Sequence, residues 1–288
     1  MDNSEFMKVG VNFMNQSERL LFLINELING DDRYKDLDIP NSYLEQTRLL
    51  RSLMNVRMPK EISEEFLRVQ DEYLSNLIKE KGIVKVTDIP TVAEEFPLSS
   101  LPFKDKISIW QGDITRLEVD AIVNAANSQM LGCFAPCHGC IDNAIHSAAG
   151  IQLRDECFHM MKQQGHEEKI GMAKITNAYN LPCKYVIHTV GPIVRFELTK
   201  ELEEDLRSCY RSCLEYAVQN EVRTIAFCCI STGEFHFPND KAAEITMKTV
   251  RQFLKENGSK IDRVIFNVFK ELDNKIYRDL TSLVLRNN

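Results

Sequence analysis

From residue 106 onward the chain alternates between two periodicities. Runs rich in β-branched and aromatic residues at 107–110, 121–124, 173–178, 185–190, 224–230 and 263–269 are separated by helical patterns at about 141–149, 151–164, 201–219, 240–257 and 271–285. Such alternation predicts an α/β domain whose mixed sheet is largely covered by helices. Ligands of that class sit outside the carboxyl ends of the strands, so the residues that follow each strand matter most. Those are Gly112-Asp113-Ile114-Thr115, Ala125-Ala126-Asn127-Ser128, Gly191-Pro192 and Ser231-Thr232-Gly233-Glu234-Phe235.

The first hundred residues read as helical. Ser17 is placed to cap a helix carrying Leu20, Leu21, Leu23, Ile24, Leu27 and Ile28 at helical spacing, with Gly30 to end it. Ser42 and Glu45 have the spacing of a capping box ahead of Leu49, Leu50, Leu53 and Met54. A third helix is expected from about residue 63 to 81, burying Phe66, Val69, Tyr73, Leu74, Leu77 and Ile78 and stopping at Gly82. The charged residues between 61 and 72 read as its solvated face. Pro90, Pro97 and Pro102 then interrupt helical structure and divide the chain into a helical part, 1–95, and an α/β part, 96–288.

A net charge of −7 argues against broad binding to nucleic acid or an anionic membrane, so any phosphate must be held locally. No apolar run approaches the roughly 18–20 residues that span a bilayer. Nine cysteines accompany an N-terminus, Met1-Asp2-Asn3-Ser4-Glu5, without the order of a signal peptide, which leads to the expectation of reduced thiols in a cytoplasm. Cys209, Cys213, Cys228 and Cys229 lie in apolar patterns and are expected in the core.

Three of the remaining five thiols are concentrated. Cys133, Cys137 and Cys140 share the stretch 132–146 with His138, Asp142 and His146, broken by Gly132, Pro136 and Gly139. Thiolate and imidazole are the usual donors to zinc, and a catalytic zinc keeps three of them with a fourth position open. In an extended segment His138 and Cys140 face the same way. Either Cys133 or Cys137 then completes an open set, whereas both together make a closed, structural one; spacing alone does not choose, and a loop of half-buried free cysteines fits it too. Elsewhere, Ser231, Thr232 and Gly233 offer hydroxyls and unhindered N–H groups for a phosphate, Asp113 an acceptor for an exocyclic amine, and Phe235 a flat apolar face. Asn124 and Asn127 are suited to sugar hydroxyls. His146 lies one turn beyond Asp142, placed either to orient that carboxylate or simply to pack, and His188 falls inside a strand as a core residue. No G-x-G-x-x-G, G-x-x-x-x-G-K-[ST] or H-E-x-x-H occurs, so neither a dinucleotide fold, a P-loop nor a metalloprotease helix is supported.

Taken in order, Gly112-Asp113-Ile114-Thr115, Val123-Asn124-Ala125-Ala126-Asn127-Ser128, Ile141-Asp142-Asn143-Ala144-Ile145-His146, His188-Thr189-Val190-Gly191-Pro192 and Ile230-Ser231-Thr232-Gly233 resemble a macrodomain over roughly residues 105–285. The Cys/His loop stands where most catalytic macrodomains carry a glycine-rich one, and in this it resembles the microbial zinc-containing macrodomains. The resemblance implies a three-layer α/β/α macrodomain with a mixed central sheet, preceded by an all-helical N-terminal extension. It implies one Zn2+ on Cys133, His138 and Cys140, leaving Cys137 aside. Asp113 and the Ile114 N–H would receive adenine, and Asn127 and Asp142 would approach the distal ribose as the catalytic pair. Ser231, Thr232, Gly233, Glu234 and Phe235 would wrap the pyrophosphate and distal ribose. The implied activity is zinc-dependent hydrolysis of mono-ADP-ribose ester-linked to Asp or Glu of a protein, releasing ADP-ribose, opposite a sirtuin-type ADP-ribosyltransferase. A non-catalytic ADP-ribose-binding module and an O-acetyl-ADP-ribose deacetylase are the alternatives that need the same pocket. A zinc-dependent nucleic-acid binder is disfavoured by the acidic charge.

Overall fold

The computed structural model describes residues 14–282. Three helices come first, α1 (Gln16–Asn29), α2 (Tyr43–Val56) and α3 (Glu64–Lys81). Their apolar stripes close on one another through Leu23, Leu27, Leu50, Leu53, Phe66 and Tyr73, and Ile151 from further along the chain completes this cluster. Asn15, not Ser17, caps α1. Its side-chain oxygen accepts from the N–H groups of Ser17 and Glu18, while the Glu18 carboxylate accepts from the Asn15 N–H, so the reciprocal box sits two residues earlier than the apolar pattern suggests. Ser42 and Ser63 cap α2 and α3 by accepting from the N–H groups of Glu45 and Phe66. Gly82, at φ +82°, ends α3 in a backbone region that favours glycine.

The chain then runs through β1 (Val84–Lys85), α4 (Val92–Glu95), β2 (Ile107–Gln111), β3 (Leu117–Glu118), β4 (Ala121–Ala126), α5 (Ile141–Ala149), α6 (Ile151–Gln164), β5 (Ala173–Asn177), β6 (Tyr185–Val190), α7 (Lys200–Gln219), β7 (Thr224–Phe227), α8 (Asn239–Asn257), β8 (Arg263–Val268) and α9 (Glu271–Ser282). Six strands form one sheet in the order β2-β8-β7-β4-β6-β5, parallel except where β5 runs against β6. The expected mixed sheet is therefore present. The strand expected over 224–230 is shorter than its apolar run suggests: β7 ends at Phe227, and residues 228–230 leave the ladder for the turn that begins at Ser231. The helix expected to reach residue 285 is described to Ser282, and the rest lies outside the described residues.

Cross-strand neighbours show how the layers form. Phe227 and Phe266 pair across β7 and β8 and meet Tyr210 of α7 and Tyr277 of α9, so these helices cover one face. Asn124 and His188 pair across β4 and β6 and meet Asp142 of α5 and Cys157 of α6, which cover the other. Helices α2 and α3 pack against α5 from outside. A separate short parallel pair, β1 with β3, ties the end of the helical segment to the α/β core, in which Ile89 and Val92 are already buried. Cys209, Cys213 and Cys228 are buried, Cys229 is half-buried, and all nine cysteines are free. Among the described residues no helix is long and apolar enough to cross a membrane.

Candidate functional site

The connection from β4 to α5 carries the Cys/His loop. Its entry is set by Gly132, at φ +79°, where an added Cβ would lie 2.8 Å from the His146 ring. Ligand atoms of Cys133, His138 and Cys140 then all come within 4.8 Å of one another, each residue half-buried. Cys133 Sγ lies 3.7 Å from His138 Nδ1. With metal–sulfur and metal–nitrogen bonds of about 2.3 and 2.0–2.1 Å, ligands on a tetrahedral zinc stand about 3.5–3.8 Å apart, so this donor set fits the ion. Cys137, at φ +52°, turns away: its Sγ donates to the Arg48 carbonyl at 3.3 Å and lies 3.2 Å from Ser52 Oγ. The loop thus offers two thiols and one imidazole, an open set. Cys140 is also the N-cap of α5, its Sγ accepting from the Asn143 N–H at 3.4 Å. Burial and the neighbouring Cys133 thiol push the Cys140 thiol up to about 12 despite that N–H. Two close thiols of this kind are the setting in which a divalent cation supplies the missing charge.

Asp142 is in the first turn of the same helix and is 5 % exposed. Asn124 Nδ2 donates to its Oδ1 at 2.8 Å. Burial raises its carboxyl to about 6, with the Asn124 bond and the Arg154 charge pulling the other way. Asn124 is itself fully buried, so it meets Asp142 and His188 rather than a sugar, and its Oδ1 has no partner. Because Asn124 Nδ2 is a donor, the His188 Nδ1 at 3.1 Å accepts, which leaves Nε2–H to donate to Thr176 Oγ1 at 3.0 Å. His188 is a satisfied core histidine, held neutral as burial lowers it to about 4. His146 Nε2 lies 3.5 Å from Asp142 Oδ1, yet neither ring nitrogen makes a hydrogen bond. Burial, with His188 and Arg154 nearby, holds it neutral well below the ordinary imidazole range. His146, Cys157 and His188 form a second Cys/His group within 4.8 Å, but one sealed in the core. The first group is only half-buried.

The other strand exits carry the remaining candidate residues. Asp113 Oδ1 accepts from the Thr115 N–H at 3.0 Å and hydroxyl at 2.6 Å, and its Oδ2 faces Lys81 Nζ at 3.4 Å. Burial acts to raise this carboxyl, but Thr115 and Lys81 outweigh it and hold it below the usual range. Ile114 buries its side chain in the core beside it. Asn127 commits its amide to its own turn, donating to the Gly132 carbonyl at 3.1 Å and accepting from the Gln129 N–H at 3.0 Å. Ser231, at φ +65°, opens a tight loop in which the Phe237 N–H returns to the Ser231 carbonyl at 2.9 Å. Its hydroxyl is buried without a partner, and a Cβ on Gly191 would lie 2.1 Å from it. Thr232 Oγ1 donates to the Cys229 carbonyl at 3.1 Å, Gly233 faces open space, and the Phe235 carbonyl accepts from the Val194 N–H at 2.9 Å. Glu234 brings its Oε1 to 3.8 Å from His138 Nε2, so this loop and the Cys/His loop, about a hundred residues apart in sequence, meet at the same imidazole. Sequence reading missed the partnership of Asn124 with Asp142 and the part taken by Asn143. The signal for Asn143 was present, as a buried amide in the first turn of the helix that follows the Cys/His loop.

The macro domain model matches residues 123–246. A protein-ADP-ribose hydrolase of Treponema medium is 51 % identical over 269 residues, covering 93 % of this chain and 100 % of the relative. A protein-ADP-ribose hydrolase of Staphylococcus aureus (strain MRSA252) is 47 % identical over 263 residues, 91 % of this chain and 94 % of the relative. Among solved structures, the Trypanosoma brucei macrodomain in complex with ADP-ribose superposes with a TM-score of 0.62 at 30 % identity, over 80 % of this chain and 94 % of that one. By sequence along nearly its whole length, and by fold, the chain belongs to the macrodomain family.

Proposed function

We propose that this macrodomain is a zinc-dependent protein-ADP-ribose hydrolase that cleaves mono-ADP-ribose from Asp or Glu carboxylates and releases ADP-ribose. The observation that carries the reading is the open group Cys133, His138 and Cys140 two residues from the buried carboxylate of Asp142, with the 231–235 loop closing on the same imidazole. The full-length relatives described as protein-ADP-ribose hydrolases support the reaction class. Cys133, His138 and Cys140 would hold the zinc, which would supply Lewis acidity toward a substrate oxygen.

The chain's own groups do the rest. Asp113 and the Ile114 N–H receive adenine, the N–H groups of the Ser231 to Phe235 loop hold pyrophosphate and distal ribose, and Asn127 turns to that ribose the Nδ2 hydrogen not used on the Gly132 carbonyl. Asp142, aligned by Asn124, takes the proton of the attacking water while the bond from the anomeric carbon to the protein carboxylate breaks and the carboxylate departs. A sirtuin-type ADP-ribosyltransferase as the opposing enzyme belongs to the same reading.

Asp142→Asn tests it against simple recognition of ADP-ribose. Turnover on a carboxylate-modified protein is expected to fall about 10²–10⁴-fold, while calorimetric ADP-ribose affinity stays within a few-fold. Equal turnover in the variant contradicts the role given to Asp142, and no turnover in the wild type alongside tight ADP-ribose binding contradicts the hydrolase. Rates on modified protein and on O-acetyl-ADP-ribose, measured side by side, tell the two ester substrates apart.

A further inference from the structure

The Cys/His loop is not shaped by the α/β domain alone. Along residues 131–140 it is tied at nearly every second residue, and several of the ties come from α2. Arg51 Nη2 donates to the His138 carbonyl at 3.1 Å and to Asn143 Oδ1 at 2.6 Å. Asn143 in turn donates from Nδ2 to the Ala135 carbonyl at 2.9 Å and from its N–H to Cys140 Sγ. Asn55, 1 % exposed, accepts from the Cys137 N–H at 2.9 Å and donates to Ser147 Oγ of α5 at 3.0 Å. Arg154 of α6 fastens the arrangement from behind. Its guanidinium donates to the carbonyls of Met54, Asn55 and Arg57 at the end of α2, and also to the Leu131 carbonyl at 2.6 Å, and it lies 4.3 Å over the Phe134 ring. One buried cation thus caps the orphan carbonyls of a helix of the N-terminal segment and holds the start of the metal loop.

We propose that α2 is a positioning element of the Cys/His centre, with Arg51 and Asn55 fixing the backbone on which Cys133, His138 and Cys140 converge. This inference rests on the zinc reading. Through α2 the N-terminal helices make the loop rigid enough for three donors to meet an ion without the entropic cost of first ordering about ten residues. Gly139, beside the Arg51-bound carbonyl, has nothing within 4 Å of an added Cβ, so the backbone there is held by these bonds and not by crowding.

The test compares the full-length protein with Arg51→Ala, Asn55→Ala and Gln152→Ala in zinc competition against a chromophoric chelator, with thermal midpoints recorded for each. Gln152 serves as the control because its Nε2 bond to Asp71 at 2.8 Å joins α6 to α3 away from the loop. Arg51→Ala and Asn55→Ala are expected to weaken zinc affinity about 10–100-fold, as loss of an outer-shell partner does. Arg51→Lys, which keeps the charge but not the fork, is expected to lie between Arg51→Ala and the wild type, and Gln152→Ala to lower the midpoint while leaving zinc affinity unchanged. Wild-type affinity in Arg51→Ala, a partly exposed position that does not threaten folding, overturns the proposal, as does an equal loss in Gln152→Ala. A wild type that takes up no zinc overturns the metal reading itself and this inference with it, and that result differs from wild-type uptake matched by the variants.

Discussion

At the residue scale, the site is a set of close approaches. Gly132 is the clearest, because it combines a positive φ with a Cβ position 2.8 Å from the His146 ring. Gly132→Ala is expected to destabilise the fold by about 1–3 kcal/mol, the usual cost of overpacking, read as a lowered denaturation midpoint at unchanged slope. Wild-type stability in this variant contradicts the described approach. Residue type was legible in the sequence where chemistry is unusual: three thiols and an imidazole within eight residues announce themselves. Which thiol turns away was not legible in the spacing, and only the family resemblance set Cys137 aside, since the choice depends on Cys137 adopting a positive φ and finding Arg48 and Ser52 on another helix. Asn124 shows the same limit. An amide at a strand end reads as a sugar ligand, and only the register of β4 against β6 shows that it points into the α5 layer.

At the scale of elements, the strands were legible because β-branched runs at this spacing have few other uses, and their ends were less so because apolar turns such as 228–230 carry the same residues. The turn before β4 is held by one carboxylate. Asp120 accepts from the Thr224 N–H at 2.9 Å, the Arg223 N–H at 3.0 Å and Lys184 Nζ at 2.6 Å, joining the starts of β4, β6 and β7. Burial acts to raise its carboxyl, but the bonds from Lys184, Arg223 and Thr224 prevail and its pKa is lowered. A lowered folded-state pKa contributes stability that is complete above the unfolded value of about 3.9 and disappears as pH falls through the folded one. The stability advantage of wild type over Asp120→Asn, measured by denaturant titration, is therefore expected to be constant from pH 7 to about 5 and to shrink below about pH 4. An advantage that grows on acidification contradicts the assignment. The caps of α1 teach a related lesson: Asn15 reaches two N–H groups and draws in Glu18, an advantage that the position of the first apolar residue does not display.

At the scale of the whole molecule, an acidic protein, at −7, is read as holding an anionic nucleotide, and the reconciliation is local. The groups assigned to phosphate are uncharged N–H donors of the 231–235 loop, which meets the proposed metal's His138 through Glu234. The N-terminal helices complete the arrangement from outside the sheet, a role invisible in their own amphipathic pattern because Arg51 and Asn55 act on residues some ninety positions away. The measurement that bears most directly on the account is release of free ADP-ribose from a protein mono-ADP-ribosylated on carboxylates, before chelation, after chelation and after zinc is restored. The account predicts loss of release on chelation and recovery with zinc, with the fold retained throughout by circular dichroism. Undiminished release from protein shown to be free of metal contradicts it.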